Sequence, residues 1–476
     1  MSESLRSRTA KGIIWSSIER FSVQFVQLII SVLIARVLTP EDYGVVGMLA
    51  IFLAIAQTFV DSGFSNALIR KIDRTEIDNS TVFYFNIVVG IIFYIVLFFS
   101  APAIAKFYNT PILIPITRVL SLGIFFNSLT IVQRAILTAK VDFKTQAKSS
   151  LISALISGGV GLYMAYSGYG VWALVIQSLI SFLLNTSTLW LFTKWVPLLV
   201  FSWKSFKEMF GFGSKLLLSA LLDTTYNNIY TIIIGKVFSS SDLGLYTRAN
   251  SLAQFPSSNL TGIMQRVTYP LLCEYQDQDE RLKQVYIKYL KLSAFIIFPL
   301  MIGLASVAYP FIITVLSGKW SGVVILLQIM CLGLMLYPIH AINLNLLQVK
   351  GRSDLFLRLE IIKKAIGVTI LIITIPMGLV YMCIGQVISS IICLAVNTFY
   401  TGKLIDLGFF KQLKDLLPAL AYSLSMGAVA FIISYNIENS MLSLIAGVLS
   451  GVIYFYAIAK LTNSPELKDL LSLIGK

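Results

Sequence analysis

Five basic side chains stand inside long apolar stretches of the sequence. They are Arg20, Arg118, Lys215, Arg248 and Arg266. A charge near the middle of a membrane costs about 2.5–3.5 kcal/mol on insertion scales, so such a group normally faces protein or a water-filled cavity. Arg and Lys bind phosphate oxygens, and the planar guanidinium does so with two parallel hydrogen bonds. The pattern predicts a basic cavity for an anionic ligand that carries phosphate or pyrophosphate.

A second interpretation is open for each of these cations. Long basic side chains near a helix end can extend along the helix and place their charge at the membrane interface. Lys215 and Arg266 fall near predicted cytoplasmic helix ends. We therefore keep both interpretations for these two residues, and favour the cavity for Arg20, Arg118 and Arg248.

Three acidic residues, Glu19, Asp61 and Asp223, also fall in apolar stretches. Each either neutralises a neighbouring cation or binds a coupling proton or sodium ion. The five candidate cations outnumber these carboxylates, which favours an anionic ligand. No cofactor is predicted, and a proton gradient, a sodium gradient and the membrane potential all remain open as sources of energy.

Neutral polar residues line up with these charges. At about 100° per residue, Gln24 and Gln27 share one face of the first predicted helix with Arg20. Asn227 and Tyr230 share a face of the seventh, and Asn259 lies between Arg248 and Arg266 on the eighth. Amides and hydroxyls at these positions suit sugar hydroxyl groups.

The elements that position these residues are predicted to be membrane helices. The chain has 476 residues, of which 57% are hydrophobic and 13% charged, and its mean hydropathy is +0.82. Apolar runs of about 20 residues, the length that spans a bilayer as helix, recur throughout. The fold class is therefore all-α integral membrane protein. The predicted spans are 12–36, 44–66, 82–102, 112–137, 147–167, 169–193, 211–236, 245–270, 289–315, 322–347, 358–377, 379–404, 414–435 and 441–461.

These fourteen spans divide into two similar halves. The stretch Ala35–Gly44 has a degraded copy at Gly235–Gly244, in which Val37, Asp42 and Gly44 recur 200 positions later. Both copies lie between apolar runs, which predicts two parallel six-helix lobes followed by two extra helices. The predicted domains are residues 1–200, 201–404 and 405–476, the last ending in a cytoplasmic tail.

Each copy of the repeat also predicts a helix cap. Thr39 and Asp42 precede the second helix, and Ser239 and Asp242 precede the eighth. Such residues satisfy the free N–H groups of a first helical turn. Pro256 interrupts the eighth helix and predicts a kink or hinge.

Basic residues in the loops give the orientation. Eight predicted loops or termini carry three Lys or Arg each, whereas the alternate loops carry only Arg36, Lys106, Lys236 and Lys319. Because basic loops stay in the cytoplasm, both termini are predicted to be cytoplasmic. The net charge of +14 is explained in the same way, so nucleic acid is not a predicted partner.

The sequence contains no pattern that predicts a metal site or a catalytic site. The four cysteines are scattered without metal-ligand spacing, and the one histidine, His340, is interpreted as a packed or hydrogen-bonded residue. We predict no metal site and no enzyme activity.

Several stretches together resemble a known family. They are Leu38–Gly44, Asp61–Ile69 (DSGFSNALI), Gly168–Leu174 (GYGVWAL), Leu243–Ala249 (LGLYTRA) and Tyr269–Pro270. The sequence is similar to the bacterial polysaccharide exporters of the multidrug/oligosaccharidyl-lipid/polysaccharide superfamily, in particular to the branch serving exopolysaccharides such as colanic and teichuronic acids.

The resemblance implies a flippase of the bacterial inner membrane. It would move undecaprenyl-pyrophosphate-linked repeat units to the outer leaflet by alternating access, for capsule, exopolysaccharide or O-antigen assembly. Membrane lipids, a polysaccharide polymerase and glycosyltransferases are the expected partners. The alternatives are a cation-coupled antiporter of organic cations from the same superfamily, a membrane-embedded glycan polymerase and a non-transporting scaffold.

Overall fold

The computed structural model describes residues 23–61 and 63–474. Every regular element within these ranges is a helix, so the all-α prediction is confirmed. The chain forms two compact units, with the division between Gly244 and Leu245. The predicted domain boundaries at residues 200 and 404 stay predictions.

The N-terminal unit begins, in the described residues, with a helix over Val23–Val37. The helices up to the division are α1 (Val23–Val37), α2 (Pro40–Asp61), α3 (Phe64–Arg70), α4 (Glu76–Tyr108), α5 (Leu113–Leu120), α6 (Leu122–Ser128), α7 (Ile131–Ala139), α8 (Phe143–Tyr166), α9 (Trp172–Thr193), α10 (Trp203–Asn227) and α11 (Ile229–Val237).

The next helix, α12, begins before the division and continues into the C-terminal unit. The remaining helices are α12 (Ser240–Glu274), α13 (Asp279–Ser306), α14 (Ala308–Val315), α15 (Val323–Leu334), α16 (Tyr337–Val349), α17 (Ser353–Thr374), α18 (Leu379–Ile405), α19 (Phe409–Tyr435), α20 (Ser440–Leu461) and α21 (Pro465–Ile474), with short 3-10 turns at Gly318–Trp320 and Ile375–Met377.

Ten helical segments of the described chain are long and apolar enough to cross a membrane. The four other predicted spans correspond to α1, α10 with α11, α12 and α17. The described part of α1 is a shorter apolar helix, whereas α10, α12 and α17 each contain four or five charged residues. The multi-pass membrane class is thus established, while the count of fourteen spans stays a prediction.

Reciprocal hydrogen bonds begin α2 and α12. The Thr39 backbone N–H donates to Asp42 Oδ2 at 2.9 Å, and the Asp42 N–H donates to Thr39 Oγ1 at 3.3 Å. Ser239 and Asp242 repeat this arrangement at 3.2 and 3.1 Å. Both copies of the sequence repeat therefore start their helix with the same two-way cap.

The repeated glycines are explained by close backbone packing. A Cβ on Gly44 would lie 1.7 Å from the carbonyl oxygen of Ser240, and a Cβ on Gly244 would lie 1.8 Å from that of Pro40. Pro40 and Ser240 hold equivalent places in the two copies, so the contact is reciprocal. No side chain fits at either glycine without moving a backbone.

The predicted span 44–66 lies within one candidate membrane segment, Pro40–Arg70, which has a turn near its C-terminal end. The first segment, α2, ends at Asp61, and α3 starts at Phe64 after Gly63, whose φ of 68° lies in the left-handed region. A Cβ at Gly63 would lie 2.8 Å from the Gly213 carbonyl oxygen of α10. Glycine therefore permits both the turn and the close approach of α10. The predicted helices at 112–137, 211–236, 289–315 and 322–347 are likewise divided into shorter segments.

A hydrophobic cluster fixes this break in the N-terminal unit. Phe64 and Leu68 of α3 pack with Phe83 of α4, Val132 of α7 and Met209 of α10, all buried. The cluster holds α3 in place against three neighbouring helices, so that the polar residues of the break keep a fixed position.

Candidate functional site

The break between α2 and α3 opens a polar pocket of about 590 Å³ in the N-terminal unit. Four helices line it: α2, α3, α7 and α10. The lining residues are Thr58, Asp61, Gly63, Ser65, Asn66, Ile131, Arg134, Leu216, Leu217, Ser219, Ala220 and Asp223. Its volume is typical of ligand-binding pockets.

One wall comes from the stretch Asp61–Asn66. Asp61 is the last residue of α2, and its Oδ1 accepts a hydrogen bond from Gln57 Nε2 at 3.2 Å. Because the chain turns at Gly63, Ser65 and Asn66 of α3 also reach the pocket while Phe64 between them is buried. Irregular backbone at membrane depth is tolerated where it lines a polar cavity or is buried in protein.

The opposite wall comes from α10, where Ser219 and Asp223 are one helical turn apart and share a face. Thr224 of the same helix lies 3.1 Å from Thr58 of α2, measured between their hydroxyl oxygens. This contact brings α10 against α2 and fixes the width of the pocket.

Among the described residues, the pocket combines two carboxylates with one guanidinium. Asp61, Asp223 and Arg134 are all exposed side chains. The Arg134 guanidinium donates to Asn185 Oδ1 of α9 at 3.1 Å, which orients it. The carboxylates of Asp61 and Asp223 can accept hydrogen bonds, and the guanidinium of Arg134 can donate them. Such a combination can bind hydroxyl groups, and the carboxylates can bind a cation.

Two of the predicted cavity residues, Arg20 and Glu19, lie outside the described residues. Gln24 and Gln27 are both in α1, the former half-buried and the latter exposed. At the end of α10 and in α11, Asn227 is exposed and Tyr230 half-buried.

Arg118 packs against α4. Its Nε donates to the Phe98 carbonyl oxygen at 3.4 Å, and its guanidinium carbon lies 4.4 Å from the centroid of the Phe98 ring. Lys215 is exposed on α10. Neither residue is among those that line the polar pocket.

Arg248 and Arg266 have contrasting environments on α12. Arg248 is 7% exposed, and its guanidinium lies 5.5 Å from the ring of the fully buried Trp320, a cation–π contact. Arg266 is exposed. Asn259 between them donates to the carbonyl oxygen of Phe255 in its own helix at 2.8 Å, and α12 continues through Pro256 as helix.

A different polar cluster is buried in the C-terminal unit around His340. Asn397 Nδ2 donates to His340 Nδ1 at 3.0 Å, so the ring proton is on Nε2, which lies 3.1 Å from Ser390 Oγ. The histidine is therefore a half-buried residue with a hydrogen-bond partner at each ring nitrogen.

The same cluster continues toward α19 through neutral groups. Thr401 Oγ1 donates to Asn343 Oδ1 at 2.8 Å, and Asn343 Nδ2 donates to Gln412 Oε1 at 3.1 Å. All three side chains are at most 1% exposed. We call the residues His340, Asn343, Ser390, Asn397, Thr401 and Gln412 the neutral network.

An apolar groove of about 270 Å³ adjoins the polar pocket. The two share Leu217, and the lining of the groove presents no polar surface. The groove residues are Phe59, Phe64, Phe85, Val89, Ile92, Phe93, Phe210, Ser214 and Leu217.

Among the described residues no group of three or more His, Cys, Asp or Glu side chains is arranged to hold a metal ion. The four cysteines are free thiols, three of them buried.

Sequence reasoning identified Asp61 and Asp223 but did not bring them together. It did not select Thr58, Ser65 or Asn66 as site residues. The available signal was the run DSGFSN, in which a glycine between polar residues interrupts an apolar stretch. It was noted for resemblance and was not interpreted as a helix break.

Comparison with known proteins agrees with this architecture. The chain is 26% identical to the teichuronic acid biosynthesis protein TuaB of Bacillus subtilis (strain 168), with 99% of each chain covered. It is 24% identical to the lipopolysaccharide biosynthesis protein WzxC of Escherichia coli (strain K12), over 87% of this chain and 82% of that protein.

The structure of the lipid II flippase MurJ in an inward closed conformation has the same fold. The TM-score is 0.75 at 18% identity, and 94% of this chain and 99% of that chain are covered. Residues 33–325, more than half of the chain, match the family described as "Polysaccharide biosynthesis protein". The predicted resemblance is thereby confirmed, and the chain belongs to this polysaccharide biosynthesis protein family.

Proposed function

We propose that the protein is a flippase that moves undecaprenyl-pyrophosphate-linked oligosaccharide repeat units from the cytoplasmic to the outer leaflet for polysaccharide assembly. The observation that carries the proposal is the polar pocket at the α2–α3 break, inside a helical unit of this membrane-protein family. Similarity along 99% of TuaB, a protein named for a cell-envelope polysaccharide, supports it.

The physical problem of such a reaction is the polar head of the lipid. Sugar hydroxyls and phosphates lose their hydrogen bonds to water in hydrocarbon, at a cost of several kcal/mol per group. A pocket lined by carboxylates, hydroxyls, an amide and a guanidinium replaces these hydrogen bonds, while the apolar tail stays in lipid. Alternating access then needs only a change in the side to which the pocket opens.

The finer architecture is part of the proposal. Two parallel six-helix lobes plus two helices would give fourteen spans, with both termini in the cytoplasm of a bacterial cell. The basic residues Arg20, Arg118, Lys215, Arg248 and Arg266 are proposed to serve the pyrophosphate. A proton or sodium gradient, or the membrane potential, is proposed to drive transport. A polymerase and glycosyltransferases are the proposed partners, and the protein itself is proposed to catalyse no reaction.

A second candidate function is favoured by one feature of the pocket. In the described part of its lining, Asp61 and Asp223 give two carboxylates beside the guanidinium of Arg134, which suits the organic cation of an antiporter. This function predicts saturable binding of ethidium that Asp61→Asn abolishes, whereas the flippase predicts no such binding.

Gene deletion in a host without a redundant flippase tests the main proposal. We expect lipid-linked repeat units to accumulate on the cytoplasmic side and the surface polysaccharide to disappear, with recovery on complementation. Normal polysaccharide in the deletion strain would overturn the proposal.

A further inference from the structure

We propose that α21 is an interfacial helix, which lies on the membrane with one face in the boundary between lipid headgroups and acyl chains. We call this face, formed by Leu467, Leu470 and Leu471, the leucine face. Its partner is the bilayer itself. The inference goes beyond the proposed function, because it depends on the membrane spans and not on what is transported.

The length of α21 decides between crossing the membrane and lying on it. The helix covers Pro465–Ile474, which is 10 residues. At about 1.5 Å per residue it is about 15 Å long, whereas the hydrocarbon core is about 30 Å thick. It follows α20, a candidate membrane span that ends at Leu461, after the short turn 462–464. A helix of this length in this place starts at the membrane surface and stays near it.

Two other helices of the C-terminal unit give the level at which α21 lies. Lys288 Nζ of α13 is 3.0 Å from Asp469 Oδ2 of α21. One turn further along α13, Lys291 is the last charged residue of that helix. Lys291 Nζ is 2.9 Å from Asp415 Oδ1, the last charged residue of α19. Because charged residues avoid the hydrocarbon core, these two mark its boundary, and α21 lies just outside it.

The leucine face points away from the protein contact of α21. The polar edge of the helix, with Pro465, Glu466 and Asp469, lines a cleft of about 300 Å³ against α13. At about 100° per residue, Leu467 and Leu471 both lie about 160° around the helix from Asp469. Leu471 is 51% exposed and Leu467 is half-buried. A polar edge opposite exposed leucines is typical of a helix that lies at a membrane interface.

Apolar contact, and not charge, is what holds α21 at the surface. The helix carries Glu466, Lys468 and Asp469, so it has no excess of basic groups for anionic lipid. The ion pair between Asp469 and Lys288 is exposed and contributes little on its own. Burial of leucine side chains is then the main favourable contribution. We therefore expect α21 to bind zwitterionic and anionic bilayers alike.

Spin-label accessibility in nanodiscs of phosphatidylcholine tests the inference on the full-length protein. Leu471→Cys and Ser472→Cys are matched, because both side chains are exposed and lie about 100° apart on the helix. Cys273→Ser removes the native cysteine that is not buried. Relative to a water-soluble nickel chelate, oxygen should collide several times more often with the label at position 471 than with that at position 472. Added phosphatidylglycerol should leave this difference unchanged.

A charge on the leucine face should remove the difference between the two labels. Leu470→Glu in the Leu471→Cys protein should lower the ratio of oxygen to nickel collisions to that of Ser472→Cys. Lys468→Glu is its control, because Lys468 is exposed outside the leucine face and the substitution also introduces an acid. This control should keep the ratio of the Leu471→Cys protein. Leu467→Cys provides a second lipid-facing position if Leu471→Cys does not fold.

Three results would overturn the inference. Equal ratios at positions 471 and 472 would place the leucine face in water. Shielding of the label at position 471 from both reagents would mean that protein covers this face. Spectral broadening that disappears on dilution with unlabelled protein would identify that cover as a second copy of the chain.

Discussion

The polar pocket of the N-terminal unit and the neutral network of the C-terminal unit both place polar side chains among apolar helices, yet their chemistry differs. The pocket contains Asp61, Asp223 and Arg134, all exposed. The network contains amides, hydroxyls and one histidine, and Asn343, Thr401 and Gln412 are almost completely buried. Of these two sites, the accessible one contains full charges and the buried one contains neutral groups.

The difference follows from the free energy of burying polar groups. A neutral amide can be buried at low cost when its hydrogen bonds are satisfied, whereas a buried ion needs a partner or changes its protonation state. The network therefore suits a structural role, joining α16, α18 and α19. Exposed charges such as those of the pocket usually contribute little to stability, so we expect them to serve a ligand.

The largest loss of stability is expected when a charge is placed inside the neutral network. Asn343→Asp should lower the free energy of unfolding by about 4 kcal/mol, because a carboxylate would be buried without a cation and without the amide donor that now bonds Gln412. Thermal unfolding in detergent measures this loss.

Asn439→Asp is the matched control for Asn343→Asp. Asn439 is the exposed N-cap of α20, and its Oδ1 accepts from the N–H groups of Met441 and Leu442 at 3.1 Å. An aspartate keeps both bonds. Equal stability of the two variants would remove the distinction between buried and accessible sites.

A charge pair in the N-terminal unit, with a buried carboxylate, tests what a natural buried charge gains from its partner. Lys71 Nζ lies 3.2 Å from Asp78 Oδ2 and 3.1 Å from Glu208 Oε2, and the Asp78 side chain is only 2% exposed. Lys71→Met should cost about 2 kcal/mol, because it leaves the Asp78 carboxylate buried without its cation.

Glu208→Gln is the control for the lysine variant, since the Glu208 side chain is 58% exposed. It should cost less than about 1 kcal/mol. If Glu208→Gln destabilised the protein as strongly as Lys71→Met in chemical denaturation, the burial of Asp78 would not explain how much the Lys71–Asp78 pair contributes to stability.

The pocket itself should tolerate neutralisation. Asp61→Asn should change the free energy of unfolding by less than about 1 kcal/mol, as exposed charges usually do. Export of polysaccharide should nevertheless fall in a complemented deletion strain at normal protein levels. A large loss of stability would reassign Asp61 to structure.

Exposed loop charges should matter least. The hydrogen bond from the Arg352 guanidinium lowers the pKa of Asp354, at the start of α17, to about 2. Since this pKa lies below the ordinary value of 3.8, the pair contributes stability at neutral pH and loses it as the pH falls from about 4 toward 2. Asp354→Asn should slightly flatten the acid limb of a stability profile, and added salt should produce the same change in wild type. An unchanged profile would contradict the ion pair.

Much of this architecture follows from the sequence. Apolar runs predicted the membrane helices because a bilayer demands about 20 apolar residues per span. The repeat at Ala35 and Gly235 predicted the two caps because Thr39, Ser239 and their aspartates are local signals. These features depend on residues that are near in the chain.

The pocket could not be derived in the same way. Gly63 permits a break, but its position also depends on the approach of Gly213, which is 150 residues away. The charge balance was predicted to be basic by counting cations over the whole chain. That prediction stays untested, since Arg20 lies outside the described residues, but the structure shows that Arg118 packs on Phe98 and Arg248 on Trp320. Sequence spacing along single helices contains no information about such tertiary partners.

Lipid flipping in proteoliposomes tests the central claim most directly. The purified protein is reconstituted with lipid-linked oligosaccharide extracted from the host, and periodate added outside oxidises only sugars in the outer leaflet. Wild-type protein should expose the inner-leaflet sugars to periodate, the double variant Asp61→Asn with Asp223→Asn should slow this strongly, and Asp277→Asn, an exposed change in the loop before α13, should not. Inner-leaflet sugars that stay protected with folded wild-type protein, under an imposed ion gradient or membrane potential as well as without one, would contradict it.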